Sequence, residues 1–318
     1  MIIGFDLGGT KLSEALFSSD GEIIRHDIHM LNGRTGKEVG LLMGERLSVL
    51  LNEFENNIES IGVSVPGIYY RDSGMVWAPN IPGWESYPLL QELKEKTKDH
   101  IPVLIDSDRA CYILGEVWQG SARGLSDVIF VAVGTGIGAG IMVNNEILRG
   151  GHDISGAIGW LALDRPYKKG YNDYGCFEYQ ASGSGIVRIV HEYLKMDQKY
   201  NGMLREIDPD NLSSKEVFAA YEQGDRMANR VINNAVELWG MAAANLVSLF
   251  DPQKIIFGGG VFGPASKLIH YIRQEAGKWA QPVSFKKVSI DVTSLKGNAG
   301  LYGTGKLALS ALNNVSSR

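Results

Sequence analysis

Long apolar runs, clustered cysteines and basic blocks are all missing from this 318-residue chain. No uninterrupted apolar stretch approaches the roughly 18–20 residues that cross a bilayer as a helix. The start, Met1-Ile2-Ile3-Gly4-Phe5-Asp6, puts a glycine and an acid where a secretory signal needs basic residues and then an apolar stretch. The two cysteines, Cys111 and Cys176, lie far apart. One disulfide is arithmetically possible, but free thiols in a reducing cytoplasm fit the pair better. Thirty-one basic residues against 36 acidic ones leave a net charge of −5, which argues against nucleic acid or an anionic membrane as the main partner. Low-complexity segments and long linkers are also absent. The remaining class is a cytoplasmic enzyme whose length suits two domains, at about 100–200 residues each, or one large one.

Glycine is what the chain has in excess: 39 residues, well above the usual share of about 7%. The glycines are ordered. Ile2-Ile3-Gly4-Phe5 reads as a short buried strand stopping at Asp6-Leu7-Gly8-Gly9-Thr10; Leu12 to Phe17 is a second extended run, Ser19-Asp20-Gly21 a turn, and Ile23-Ile24 follows. The same order returns from Val128. Ile129 to Val133 stops at Gly134-Thr135-Gly136, Ile137 to Val143 is extended, Asn144-Asn145 turns, and Ile147-Leu148 follows. Helical patterns come after each half. Met43, Leu47, Leu50, Leu51 and Phe54 share one face, and Met227, Val231, Ala235, Leu238 and Ala242 mark a long helix running to about Phe250. Asp251-Pro252 ends that helix, and Ser213 with Glu216 forms a capping box for another. Two similar α/β domains facing each other are expected.

A Gly/Thr turn between strands exposes backbone N–H groups and a hydroxyl toward one point and lets an anion approach closely. Two such turns, one per domain, suit a polyphosphate. Asp6 beside the first is placed to order the water shell of a Mg²⁺ on those phosphates. Gly258-Gly259-Gly260, after the strand Lys254 to Phe257, offers a third close-approach surface for a base or ribose. Each turn alone also fits an ordinary hairpin, and neither a Walker loop nor a dinucleotide fingerprint is present. Val103-Leu104-Ile105 reads as a strand delivering Asp106, with Ser107-Asp108 opening a helix. Asp106 suits a general base, while Asp106 or Asp108 fits a helix cap equally well. Ser64 to Gly67 and Pro79 to Trp84 suit either a sugar pocket or surface turns. Trp118, Trp239 and Trp279 suit interface anchors or core packing.

These motifs resemble the ROK family of sugar kinases and related repressors, in the actin-like, hexokinase-like superfamily, from Ile2 to about Ala308. Asp6-Leu7-Gly8-Gly9-Thr10-Lys11 is similar to the family's first phosphate motif, and Val133 to Gly140, including Gly134, Thr135, Gly136 and Gly138, to its second. Asp251-Pro252 through Gly258-Gly259-Gly260-Val261 resembles its adenosine segment. Val63 to Gly67 and Ala78 to Trp84 resemble its sugar-side loops, with Gly67 and Asn80 as contacts. The resemblance implies two actin-like (ribonuclease H-like) α/β domains facing a central cleft, divided as 1–117 plus 302–318 and 118–301. It implies transfer of the γ-phosphate of MgATP to a hydroxyl of a hexose, N-acetylhexosamine or related sugar, with Asp106 as base. It also implies a homo-dimer or tetramer; with no DNA-binding extension ahead of Met1, the repressor branch is not expected.

Departures from the family pattern gather on the sugar side. Ile105 replaces an Asn before the base, and Asp108 stands where a second Asn is common. Gly156-Ala157-Ile158-Gly159-Trp160 replaces Gly-Glu-Ile-Gly-His, whereas Glu178 matches the family's remaining sugar-binding acid. Ile105, Ala157 and Trp160 together imply a different acceptor, one with fewer hydroxyls or an apolar substituent that stacks on Trp160. The family's zinc branch uses one His and three Cys; only Cys176 survives near that place, with Asp173 and Glu178 poor substitutes, so no zinc site is expected. His152 and Asp153 fit either replacement contacts or surface loop residues. The alternative to a kinase is a catalytically degenerate member acting as a nucleotide or sugar sensor.

Overall fold

The computed structural model describes residues 1–54 and 57–315, so residues 316–318 of the expected C-terminal return lie outside it. The described chain forms two compact α/β units. The first holds Met1–Gly124, Ile147–Ser155 and the C-terminal stretch from Ser294; the second holds Leu125–Glu146 and Gly156–Thr293. The first unit runs β1 (Ile2–Leu7), β2 (Lys11–Phe17), β3 (Ile23–Met30), α1 (Gly36–Phe54), β4 (Ser60–Val65), β5 (Ile68–Tyr70), β6 (Met75–Trp77), α2 (Leu89–Thr97), β7 (Val103–Ser107) and α3 (Asp108–Trp118). The second runs β8 (Val128–Val133), β9 (Ile137–Val143), β10 (Glu146–Ile147), α4 (Tyr171–Tyr174), α5 (Cys176–Ala181), α6 (Gly183–Met196), α7 (Met203–Glu206), α8 (Ser214–Glu222), α9 (Arg226–Phe250), β11 (Lys254–Gly258), α10 (Ile269–Trp279), α11 (Pro282–Phe285) and β12 (Ser289–Val292). The chain then returns to the first unit as α12 (Ala299–Val315). No described helix is long and apolar enough to cross a membrane.

The internal repeat is a repeat of topology. One sheet has the order β3-β2-β1-β4-β7 and the other β10-β9-β8-β11-β12, so the two follow one plan. In the first, β1, β2 and β3 form an antiparallel meander and β4 and β7 add in parallel; in the second, β8 and β9 pair antiparallel and β11 and β12 add in parallel, and the parallel additions require crossover connections. The helix punctuation behaves as its residue types dictate. Ser213 and Glu216 cap α8 reciprocally, and α9 stops at Asp251, whose φ of 44° is left-handed, one residue before Pro252. Both cysteines are free and buried. Trp239 is fully buried, Trp118 packs against Phe17 and Tyr302, and Trp279 is 61% exposed.

Strand alternation sorts the first sheet into two faces. Ile3, Phe5, Leu7, Ile61, Val63, Val65, Val103 and Ile105 share a core with Val39, Met43 and Leu47 of α1 and Leu89 and Leu93 of α2. The opposite face carries Gly4 and Asp6, Ser60, Gly62 and Ser64, and Asp106. It is closed by α12, with Ser60 Oγ donating to the Ala308 carbonyl at 2.8 Å. The helix comes so close that a Cβ on Gly62 would stand 2.0 Å from the Thr304 carbonyl oxygen, and one on Gly4 2.1 Å from the Thr304 hydroxyl.

Gly62→Ala is therefore expected to destabilise the protein by about 2–3 kcal/mol, the upper range for overpacking, because backbone rather than a side-chain tip must move. Gly44→Ala in α1, whose added methyl meets only the flexible Lys96 stem, is expected to be neutral or slightly stabilising. Urea denaturation of both variants checks the contrast, and equal losses would contradict it.

Candidate active site

In the first unit the ladder register aligns Asp6 with Ser64, and Ser64 with Asp106. Each occupies the next-to-last position of its strand, so β1, β4 and β7 present a polar row at their carboxyl ends, where ligands of parallel α/β sheets bind. Loss of hydration pushes the Asp6 carboxyl up from its ordinary value, with Ser64 and Lys11 pulling the other way. Asp108, the first residue of α3, is pushed up to about 6 by burial, and the charge of Asp6 adds to the effect. The cap of α3 is Ser107, whose hydroxyl accepts from Ala110 N–H. Asp106 is therefore not the cap.

Asp106 instead meets an arginine. Its Oδ1 accepts from the Ser107 amide at 2.8 Å, and its Oδ2 accepts from Arg149 Nε at 3.1 Å and from Arg149 Nη2. The carboxylate is buried and the guanidinium is about one-quarter exposed. Arg149 belongs to the short segment 147–155 that returns to the first unit. The segment is folded by Ser155 N–H donating to the Arg149 carbonyl at 2.9 Å and pinned by Arg71 Nε on Asp153 Oδ1 at 2.8 Å. Asp153 thus has a structural partner, and His152 is exposed. Sequence reasoning missed Arg149. The only signal was a lone cation 43 residues from Asp106, which carries no pattern.

Several other first-unit candidates change meaning. Ile105 faces the α1 and α2 core, opposite Asp106, so the expectation that it modifies the acceptor side is corrected: adjacent residues of a strand point to opposite faces. Trp84 is also core, stacked on Tyr87 at 4.3 Å, with its indole N–H donating to the Gly36 carbonyl. Gly67 allows close packing, since a Cβ there would stand 2.0 Å from the Trp77 carbonyl. Asn80 is exposed and lies beside Gly9. Gly8 N–H closes the first turn on the Lys11 carbonyl at 2.9 Å, leaving Gly9, Thr10 and Lys11 exposed.

In the second unit the glycine turns converge. Gly134 N–H donates to the Gly136 carbonyl at 2.9 Å, and Gly183 N–H to the Gly134 carbonyl at 2.8 Å. Gly259, at φ 91°, runs against the Val133 backbone, and Gly260 has open space where a side chain would be. Gly258 is structural, its α-carbon against the Phe130 ring, and Gly138 pairs with Ala132 in the sheet. Thr135 is exposed. Gly183, at the start of α6, and Ser214 nearby complete this surface. The run Ser182-Gly183-Ser184-Gly185 was a readable signal for it. Position for position, Ala132 and Gly258 stand where the first sheet has Asp6 and Ser64. The first unit therefore offers carboxylates at its strand ends and the second offers bare backbone.

Glu178, on α5, accepts from Ile137 N–H at 2.7 Å. Nearby, Trp160 ends a single 3₁₀ turn (Ile158–Trp160) and is 56% exposed. The surrounding segment is held by Asp164, whose carboxylate accepts from the Tyr171 hydroxyl and the Gln180 amide, each at 3.0 Å. The Cys176 thiol is buried against the Asp164 carbonyl. Among the described residues no group of three or more His, Cys, Asp or Glu is arranged to hold a metal. The donors here, one thiol and one carboxylate already engaged by a phenol and an amide, do not suit zinc.

Residues 2–311 match the ROK family. The glucokinase of Halalkalibacterium halodurans is 31% identical over 323 aligned residues, covering 98% of this chain and 96% of that one. The ROK hexokinase from Thermus thermophilus superposes with a TM-score of 0.79 at 26% identity, over 98% of this chain and 99% of that one. The ROK family glucokinase from Streptomyces griseus, in complex with glucose and AMPPNP, gives 0.77 at 25% identity, over 97% and 99%.

Asp108→Asn should gain stability relative to the parent as pH rises. Native Asp108 keeps its proton to about pH 6, whereas the unfolded carboxyl releases it near 3.8. The parent therefore loses stability as pH climbs through that window. Melting curves should lie closest near pH 4 and separate by pH 7, with the variant higher. A gap that does not vary with pH would contradict this.

Proposed function

The chain belongs to the ROK family, and from that premise we propose that it is an ATP-dependent sugar kinase whose general base is Asp106. The observation that carries the reading is the polar row of the first unit: Asp106 and Asp6 in register at the ends of β7 and β1. The second unit supplies a complementary chemistry, backbone amides and bare glycines at Gly134–Gly136, Gly183 and Gly259–Gly260. These match what a polyphosphate needs, and the two kinds of site match the two substrates of phosphoryl transfer.

In this reading Asp106 accepts the proton of the acceptor hydroxyl as the oxygen attacks the γ-phosphorus. Arg149 keeps the carboxylate oriented. Asp6 fits a hard cation: its anion is poorly hydrated, and with no group of three or more metal-binding side chains among the described residues the cation would be held through water and the nucleotide. Mg²⁺ bound there supplies charge neutralisation on the transferring phosphates. On the acceptor side Trp160 offers an exposed aromatic face where the family has a hydrogen-bonding His. With Ala157 in place of a Glu, this favours a hexose, N-acetylhexosamine or relative that presents an apolar face or substituent. Each sugar hydrogen bond given up costs about 1–3 kcal/mol.

A second reading, a non-enzymatic nucleotide or sugar sensor, draws on one observation: Oδ2 of Asp106 is occupied by Arg149. Turnover separates the two. With MgATP and a panel of hexoses, N-acetylhexosamines, deoxy sugars and polyols, the kinase should release ADP with at least one acceptor. Asp106→Asn should lower that rate by about a hundredfold or more. Nucleotide binding with no ADP release across the panel would favour the sensor.

A further inference from the structure

The phosphate-side turn of the second unit has a carboxylate built into it. The amide of Ile137, the residue following Gly134-Thr135-Gly136, donates to Glu178 Oε2 at 2.7 Å. The fit around that carboxylate leaves no slack. A Cβ on Gly136 would stand 2.7 Å from Oε2, and a Cβ on Gly159 would stand 2.9 Å from the Glu178 Cβ and 3.0 Å from Oε2. Neighbours of Glu178 on α5, Phe177 and Ala181, are fully buried, which anchors the helix. The charge of Arg188 acts on the carboxylate, opposing the upward push of burial. Its guanidinium stacks on Tyr174 at 4.0 Å and Tyr179 at 4.6 Å and donates to the Tyr179 carbonyl at 2.9 Å, so its position is fixed too. No hydrogen bond reaches Oε1 among the described residues.

We infer that Glu178 is a positioning residue for nucleotide polyphosphate: Oε2 holds the Ile137 amide and with it the course of Gly134-Thr135-Gly136, while Oε1 remains for the acceptor. The inference rests on the kinase reading above. A single side chain then serves both substrates, and linkage makes their mutual effect on binding reciprocal. The contribution to nucleotide binding comes through reach and not through charge, because a negative charge beside a polyphosphate opposes binding. That separates this role from an electrostatic one.

Calorimetric titration with magnesium ADP tests it without knowledge of the acceptor. Glu178→Asp keeps the charge but falls one methylene short of the Ile137 amide, and its Kd should rise about tenfold, the worth of one hydrogen bond. Glu178→Gln keeps an acceptor atom at the same reach, and its Kd should stay within about threefold of the parent. If Glu178→Asp does not fold, Glu178→Ala removes the same contact and carries the same expectation. A Gln variant weakened as much as the Asp variant, or an Asp variant indistinguishable from the parent, overturns the inference and leaves the kinase reading intact. A parent that binds no magnesium ADP overturns both.

Discussion

The approach of α12 to the first sheet is the constraint on which the rest of the first unit depends. Glycines at positions 4 and 62 let helix backbone lie directly on strand backbone, and a face packed that tightly excludes water. Along its buried length the face needs only small or hydrogen-bonded groups, and Ser60 donates to the helix accordingly. At its carboxyl end the same exclusion acts on Asp6 and Asp108, whose ionised forms lose hydration without gaining full compensation. Carboxylates in that condition favour a cation or a proton. Packing and chemistry in this unit follow from one contact.

The duplicated topology makes the chemical division visible. Equivalent strand ends carry Asp6 and Ser64 in one unit and Ala132 and Gly258 in the other, on sheets of the same order. Removal of side chains in the second unit uncovers backbone amides, and retention of acids in the first leaves carboxylates at the strand ends, the division on which the proposed kinase reading rests. Each set is held by a carboxylate hydrogen bond from far along the chain. Arg149 orients Asp106 from a folded segment itself pinned by Arg71 on Asp153, and Glu178 holds the Ile137 amide at the end of the glycine turn, with Arg188 stacked on Tyr174. The arginines contribute planar, directional donors, and a lysine in either place would not reproduce the geometry.

The segment around Trp160 follows another economy. Asp164 gathers the Tyr171 hydroxyl and the Gln180 amide, and Tyr171, Tyr174 and Tyr179 pack edge to face or tilted around them. Phenols and an amide close this loop by hydrogen bonding and aromatic contact. The loop leaves Trp160 outside as an exposed ring, close in sequence to the buried Ile158 and Gly159.

Local physics reached far into this protein. The two hairpin halves, the glycine turns that interrupt them, the Ser213–Glu216 cap and the stop at Asp251-Pro252 are short-range features, and a residue's immediate neighbours decide them. Asp106 at the end of β7 belongs with these, because a strand followed by a helix N-terminus is local too. Tertiary structure alone decided which side chains share a face and which ones meet. It sent Ile105 and Trp84 into the core, because the sheet has two sides and a helix pair covers one of them. It brought Arg149 onto Asp106 and Ile137 onto Glu178 across 43 and 41 residues. Contacts of that range leave no periodicity in a sequence; they exist only once the sheets have set the distance between the strand ends.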